Sequence, residues 1–156
     1  MRGLALLLFA CVSSSVYAEQ LICQGNLRNK TIQADLIVQQ RCILDNANIQ
    51  GNIEVKNAAS LTLKRSRISG DVHAHDYFSG IHIEESHIAG KLSVHAGRDV
   101  RLIKNQVAGD IDVQDNIGTV LIKQNQSQAL ICIHNRIQPT GFANQATQKL
   151  EQCAAL

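Results

Sequence analysis

The chain has 156 residues, with 15 Lys or Arg against 13 Asp or Glu, and both signs are mixed along its length. The resulting net charge of +2 argues against a nucleic-acid binder, which depends on clustered positive charge. Aromatic residues make up only 3% and Trp is absent. With Tyr77, Phe78 and Phe142 as the only aromatic residues beyond the leader, the chain is poorly equipped to stack sugar rings.

Residues 1–18 have the composition of a secretory signal peptide. Arg2 gives a positive start, residues 4–12 form an apolar core, and Ala18 ends a small-residue cleavage site. The apolar run is about half of what a membrane-spanning helix needs, and no later segment comes closer. An alternative is a lipoprotein box at Leu8-Phe9-Ala10-Cys11, where acylation of Cys11 would tether the chain to a membrane. Cleavage after Ala18 predicts a periplasmic or secreted protein.

From residue 27 onward, one apolar template returns at intervals of 17 to 20 residues. Each unit has an anchor residue, with apolar positions seven and two places before it and two and four places after it. Of these 24 positions, 22 hold Leu, Ile or Val. The anchors are Ala34, Gly51, Gly70, Gly90, Gly109 and Ala129. Such a period is typical of a solenoid, and alternation with period two around each anchor indicates strands.

The units are too short for a strand and a crossover helix. The sequence therefore predicts an all-β fold, a single-stranded parallel β-helix of about six short coils over residues 19–138. We favour the right-handed form, because the offsets do not follow a strict six-residue period. Corner glycines fit this fold, since stacked corners favour a residue that lacks Cβ and can adopt positive φ. The register also predicts an internal stack of Leu44, Leu63, Ile83, Leu102 and Ile122.

Four cysteines follow the signal, namely Cys23, Cys42, Cys132 and Cys153. An even number in an exported chain indicates disulfides, and three pairings are possible. In the repeat register, Cys42 is equivalent to Gly25 of the preceding coil, two residues from Cys23, and stacked coils are about 4.8 Å apart. The register thus favours Cys23–Cys42, which leaves Cys132 with Cys153 and places one bridge at each end.

The pattern changes after Pro139, which with Thr140-Gly141 predicts the exit from the coils. Apolar residues then recur at helical spacing among polar ones, at Phe142, Ala146, Leu150 and Cys153. We expect residues 139–156 to form a C-terminal helical cap that covers the unpaired backbone of the last coil.

The register also predicts which outward residues share a sheet face. One, three and five places after the anchors, it brings several imidazoles and carboxylates into one polar patch. The candidate binding residues are Asp71, His73, His75, His95, Asp110, Asp112, Gln114 and His134. His75 and His95 should stack directly, one coil apart. His82 and His87 fall on the other sheet as surface residues, and Ser66, Ser86, Asn105 and Asn125 share one bend as a stacked polar ladder.

Three of these imidazoles, those of His73, His75 and His95, could bind a divalent transition metal or titrate together at about pH 6. A solvated polar ladder explains the same residues, and no Cys/His spacing of a zinc site is present. We favour the ladder and assign no cofactor.

The repeat resembles that of right-handed β-helix proteins, the group that includes pectin-degrading lyases and hydrolases. The resemblance covers nearly all of the mature chain and rests on repeat shape, without a signature motif. It implies clustered Asp residues for calcium or catalysis, and an Arg base in the lyases. Here Asp71 and Asp110 lie two coils apart with Lys91 between them, and no Arg shares their columns. Each coil is also too short to wall a cleft.

We therefore expect an exported, non-catalytic bacterial module that binds another macromolecule, a protein or a polysaccharide, through a flat sheet face. Two alternatives stay open: a polysaccharide-binding or polysaccharide-degrading protein, and a metal-binding protein that uses the histidine patch.

Overall fold

Residues 20–156, which the computed structural model describes, form 18 β-strands that pair only in parallel. Each strand of the inner coils pairs with its equivalents one coil earlier and one coil later, so the chain winds as an all-β parallel solenoid of about seven turns. The predicted signal peptide and the alternative lipid-anchor site at Cys11 lie outside these residues. Within 20–156, no helix has the length and hydrophobicity that crossing a bilayer requires.

Every coil contributes to three sheet faces. The first face contains the second parts of β1 (Gln20–Arg28) and β3 (Asp35–Asp45), then β6 (Ser60–Lys64), β9 (Gly80–Glu84), β12 (Asp99–Ile103), β15 (Val120–Lys123) and β17 (Thr140–Phe142). The second face contains β2 (Thr31–Ile32), β4 (Asn48–Ile49), β7 (Arg67–Ile68), β10 (His87–Ile88), β13 (Gln106–Val107) and the first parts of β16 (Gln126–Ile133) and β18 (Gln145–Glu151). The third face contains the first parts of β1 and β3, then β5 (Ile53–Val55), β8 (Val72–Ala74), β11 (Leu92–His95), β14 (Ile111–Gln114) and the ends of β16 and β18.

The interior is the aliphatic stack that the repeat predicts. Each of its members is at most 1% exposed: Leu44, Leu63, Ile83, Leu102 and Ile122. They pair in register from coil to coil on the first face. Because side chains alternate between the two sides of a strand, the residues between them face outward. Phe78 also lies in this interior, fully buried, so Tyr77 and Phe142 are the exposed aromatic residues between positions 20 and 156.

The corner glycines are required by close packing. A Cβ on Gly70 would lie 2.8 Å from the carbonyl oxygen of Gly51, and one on Gly109 would lie 2.9 Å from that of Gly90. Positive φ, the second predicted reason for glycine, does not apply to these corners, because among the glycines that the structure describes it is adopted by Gly25 and Gly141 alone. Non-glycine residues adopt positive φ instead, at the bend between the first and second faces. They form the column Asn29, Asn46, Arg65, Glu85, Lys104, Gln124 and Ala143.

The residues that follow the last five of these positions carry a polar ladder, and its predicted members Ser66, Ser86, Asn105 and Asn125 are confirmed. The amide oxygen of Asn125 accepts a hydrogen bond from the Asn105 backbone N–H at 3.0 Å, and its Nδ2 donates to the Leu102 carbonyl at 2.8 Å. Asn144 extends the ladder by one coil. A second ladder, formed by Asn116, Asn135 and Gln152, lies at the bend that comes after the third-face strands. These side chains satisfy buried backbone groups that would otherwise be unpaired.

Both predicted disulfides are confirmed, Cys23–Cys42 with a Cα–Cα distance of 5.7 Å and Cys132–Cys153 with 5.2 Å. All four cysteines are buried in the core. One bridge joins the first described coil to the next, and the other joins β16, in the coil before the last, to the turns that follow β18. Two disulfides are typical of proteins outside the cytoplasm.

The predicted C-terminal helical cap over residues 139–156 is wrong. The chain passes Pro139 and adds another coil, with β17 pairing to β15 and β18 pairing to β16. Phe142, Ala146 and Leu150 do not form the buried face of a helix, since Phe142 and Leu150 are 58% and 40% exposed. Each added strand gains a backbone ladder on the preceding coil, which a helix laid across the end would not form. Turns follow β18, and Leu156 packs into the core.

The predicted register is also wrong for the third-face strand of the sixth coil. Gln126 pairs with Gln106, twenty residues earlier, but Leu130 pairs with Ile111, only nineteen earlier. The coil therefore lacks one residue at its corner, where Gln128 rather than Ala129 bonds to Gly109. Leu130 and Cys132 face the core as a result, and Ile131 and Ile133 face outward.

Candidate binding face

The predicted polar patch lies on the outside of the third face, at β8, β11 and β14. We call the outward surface of the third face the histidine face. His73 pairs with Ser93, and His95 pairs with Gln114, so neighbouring coils present these side chains side by side. The local cause is the period-two alternation, which points Val72 and Ala74 inward and His73 between them outward.

Three imidazoles form the centre of this face. The ring centroids of His75 and His95 are 4.7 Å apart with an edge-to-face arrangement, so the two rings are adjacent as predicted but not parallel. The centroids of His73 and His75 are 5.8 Å apart and the rings are stacked. Burial, followed by the positive charges that His95 and His73 can carry, lowers the pKa of His75. This environment therefore favours the neutral form of the His75 ring.

Asp112 is the most buried charged group here, only 6% exposed although it points away from the core. Neighbouring side chains cover it. Lys91 Nζ lies 3.2 Å from Asp112 Oδ2, His95 Nε2 lies 3.5 Å from the same oxygen, and Gln114 Nε2 donates to Oδ1 at 2.5 Å. His95 Nε2 is itself buried and makes no hydrogen bond within the described residues.

Two of the predicted carboxylates have a structural role at the corner. Asp71 Oδ1 accepts the Lys91 backbone N–H at 2.7 Å, and Asp110 Oδ1 accepts that of Ala129 at 3.1 Å. Asn52 makes the equivalent bond to the Asp71 N–H. Asp71 also lies 3.5 Å from His73 Nε2 through its other oxygen. These acids therefore connect the corners of successive coils. Of the two oxygens of Asp71, Oδ2 is the one that lies on the histidine face.

His134 does not belong to this cluster, and its predicted position there is wrong. Because the sixth coil is one residue shorter at its corner, Ile133 pairs with Gln114 and His134 lies beyond the end of the strand. His134 is an exposed bend residue whose Nδ1 lies 3.7 Å from Asp115 Oδ1. Placing the anchor at Gln128 would have revealed this in the sequence, since it gives Cys132 the inward position that its disulfide requires.

Between residues 20 and 156, no group of three or more His, Cys, Asp or Glu side chains has the arrangement of a metal site. The cysteines at positions 23, 42, 132 and 153 are bridged, so none of these four supplies a free thiol. A shallow groove of about 360 Å³ runs beside the histidine cluster, lined by Ile37, Glu54, Asp71, His73 and His75 among others. Hydrogen bonding and surface packing are what this geometry supplies.

The remaining histidines lie on other surfaces, as predicted. His82 is on the first face between Thr62 and Arg101, and His87 is on the second face between Arg67 and Gln106. His82 Nε2 lies 2.7 Å from Asp99 Oδ2. Burial alone would raise the pKa of Asp99, but the hydrogen bond and charge of His82, with help from Thr119, lower it.

A second polar surface follows the bend between the first and second faces. Its largest groove is about 580 Å³ and is lined by Arg65, Arg67, His87 and Lys104 among others. Smaller grooves continue it past the exposed amides of Gln106, Gln126 and Gln145. Sequence reasoning missed this surface because it treated the bend as structural.

Comparisons of the chain with protein-family models, with curated proteins and with solved structures find no match. The fold therefore defines the class, a disulfide-bonded parallel β-solenoid with short bends. The resemblance to pectin-degrading enzymes remains a prediction from repeat shape.

Proposed function

We propose that this protein is a non-catalytic module, periplasmic or secreted, that docks through the histidine face onto another macromolecule. The observation that carries the proposal is the flat convergence of His73, His75 and His95 from adjacent coils, beside a buried Asp112. Polar groups that are ordered by their neighbours and left partly unsatisfied, as His95 Nε2 is, can complete their hydrogen bonds with a partner.

The shape of the molecule supports docking over catalysis. Bends between the faces are short, so no loop walls a cleft around the cluster in the part of the chain described. Solenoids with this form present extended surfaces to their partners. The two carboxylates are also engaged within the fold, unlike a pair of catalytic acids. Asp112 is neutralised by Lys91, and Asp71 accepts a hydrogen bond from a backbone N–H.

Site-specific photo-crosslinking in cells that export the protein tests this proposal. A photoreactive residue in place of the exposed Glu54, on the histidine face, should yield a discrete cross-linked product. The same residue in place of the exposed Arg101, on the first face, is the matched control and should yield none. If neither position gives an adduct, or if both give the same spectrum of adducts, the proposal fails.

A polysaccharide is the second candidate partner, and the groove along the bend favours it. Exposed amides of Gln106, Gln126 and Gln145 recur there at the coil spacing of about 4.8 Å, with Arg67 and Lys104 at one end. Titration with defined acidic and neutral oligosaccharides, followed by calorimetry, should show binding that Gln106→Ala with Gln126→Ala weakens. Unchanged affinity in that variant would eliminate this site.

A further inference from the structure

The outward residues in the middle of the histidine face form one column of eight residues, separated by seven coil spacings. In order along the solenoid they are Ile22, Ile37, Glu54, His73, Ser93, Asp112, Ile131 and Leu150. Both ends of the column are apolar and its centre is polar. Ile22 and Leu150, the two terminal members, are 55% and 40% exposed.

This column reads nearly the same in both directions. Reversing it places Ile22 opposite Leu150, Ile37 opposite Ile131, and His73 opposite Ser93. We infer that the macromolecule bound by the histidine face is a second copy of this chain, docked face to face with its solenoid axis reversed. The inference rests on the proposed function and names the partner of the same surface.

The neighbouring columns are complementary under the same reversal. On one side the column includes Asp71 followed by Lys91, so Asp71 of one copy would face Lys91 of the other. On the other side, His75 would face His95. A two-fold axis between the fourth and fifth coils produces each contact twice, as expected for an isologous dimer. Glu54 would face Asp112, whose charge is already compensated by Lys91 and whose Oδ1 accepts a hydrogen bond from Gln114.

A parallel arrangement of two copies is less favourable. The central column would then meet itself position by position, with Glu54 against Glu54 and His73 against His73. Like charges placed directly opposite each other cost free energy, and the contact between Asp71 and Lys91 would be lost. Electrostatic complementarity therefore selects the reversed arrangement.

The size of the face predicts a weak dimer. Seven coil spacings and strands of four residues make it about 34 Å long and about 13 Å wide. Two copies would bury about 900 Å² in total, below the roughly 1,200 Å² at which standard interfaces begin. The dimer should thus exchange with monomer and depend on protein concentration.

Sedimentation velocity over a range of concentrations tests the inference on the mature chain with its disulfides intact. The parent should move from monomer to dimer as concentration rises. Leu150→Asp should raise the dissociation constant about tenfold or more, because the substitution occurs twice in the interface and buries a carboxylate. Phe142→Asp, which changes an exposed apolar residue of the same terminal coil on the first face, should leave it unchanged.

Cross-linking with a short bismaleimide tests the orientation. Ile22→Cys and Leu150→Cys proteins should cross-link to each other when mixed, and neither should cross-link to itself. Self-cross-linking of Ile22→Cys alone would overturn the reversed arrangement.

The outcomes separate this inference from the proposed function. A protein that stays monomeric at all concentrations, while a photoreactive group at position 54 captures a different macromolecule, refutes the second copy and leaves the proposed function intact. The absence of any adduct from position 54 refutes both. An adduct of twice the monomer mass that Leu150→Asp abolishes supports both.

Discussion

Individual side chains in this solenoid connect one coil to the next, and a few of them also shape the histidine face. Asn125 and Asn105 connect buried backbone groups, whereas Asp71 bonds a corner N–H with one oxygen and approaches His73 with the other. Sequence reasoning placed Asp71 on the face but could not show its structural bond, because that bond depends on the corner backbone. Substitution of Asp71 would therefore change the stability of the corner as well as any binding by the histidine face.

The pKa of His75 makes stability depend on pH. Burial and the neighbouring imidazoles lower this pKa in the folded protein, so the unfolded chain binds the proton more readily. The free energy of unfolding should therefore decrease as pH falls below about 6.5, the ordinary value for histidine, until it passes the lowered folded pKa. Urea unfolding of His75→Asn at several pH values should show a shallower slope. In the control, His87→Asn, the slope should persist; an unchanged slope in His75→Asn would contradict the assignment.

The asparagine ladder predicts a large loss of stability at one buried position. Asn125→Ala leaves the Asn105 N–H without its partner and removes the hydrogen bond from Nδ2 to the Leu102 carbonyl, which should cost about 3 kcal/mol of unfolding free energy. The adjacent exposed Gln126→Ala should change it by less than about 0.5 kcal/mol. Chemical denaturation measures both, and similar values for the two variants would argue against the ladder.

The strands show where local pattern and neighbouring structure compete. Residues 142–153 carry apolar residues at helical spacing, yet β18 is extended because the edge of β16 offers it a backbone ladder. No property of the segment alone reveals that choice. The corner of the sixth coil is ambiguous for a related reason, since Ala129 and Gln128 are both adjacent to apolar alternation. The pairing of Leu130 with Ile111 selects Gln128, in agreement with the inward position that the disulfide of Cys132 requires.

The bridge between Cys132 and Cys153 should hold this last coil in place. Its sequence separation of 21 predicts a contribution of about 3 kcal/mol. Replacing both cysteines with Ser should lower the unfolding free energy by that amount and increase amide exchange in β18. Replacing Cys23 and Cys42 should instead increase exchange in β1. Unaltered exchange in β18 without its bridge would show that strand pairing alone retains the coil.

At the scale of the whole molecule, the repeat in the sequence predicted the parallel solenoid, its interior and both disulfides, because stacking multiplies one local pattern across all coils. The cluster of His73, His75 and His95 followed from the same register. The burial of Asp112 did not, since it depends on how Lys91, His95 and Gln114 fold over it. Outward surfaces are less constrained by the repeat than the core, so their details required the structure.

The central claim is that the histidine face is covered when the protein is bound to its partner. Histidine modification by diethylpyrocarbonate, read by peptide mass spectrometry, measures this directly on cells and on dilute purified protein. His73 and His75 should react less in cells than in dilute solution, while His87 and His134, on other surfaces, should react equally in both. Equal reactivity of His73 and His75 in the two settings would contradict the claim.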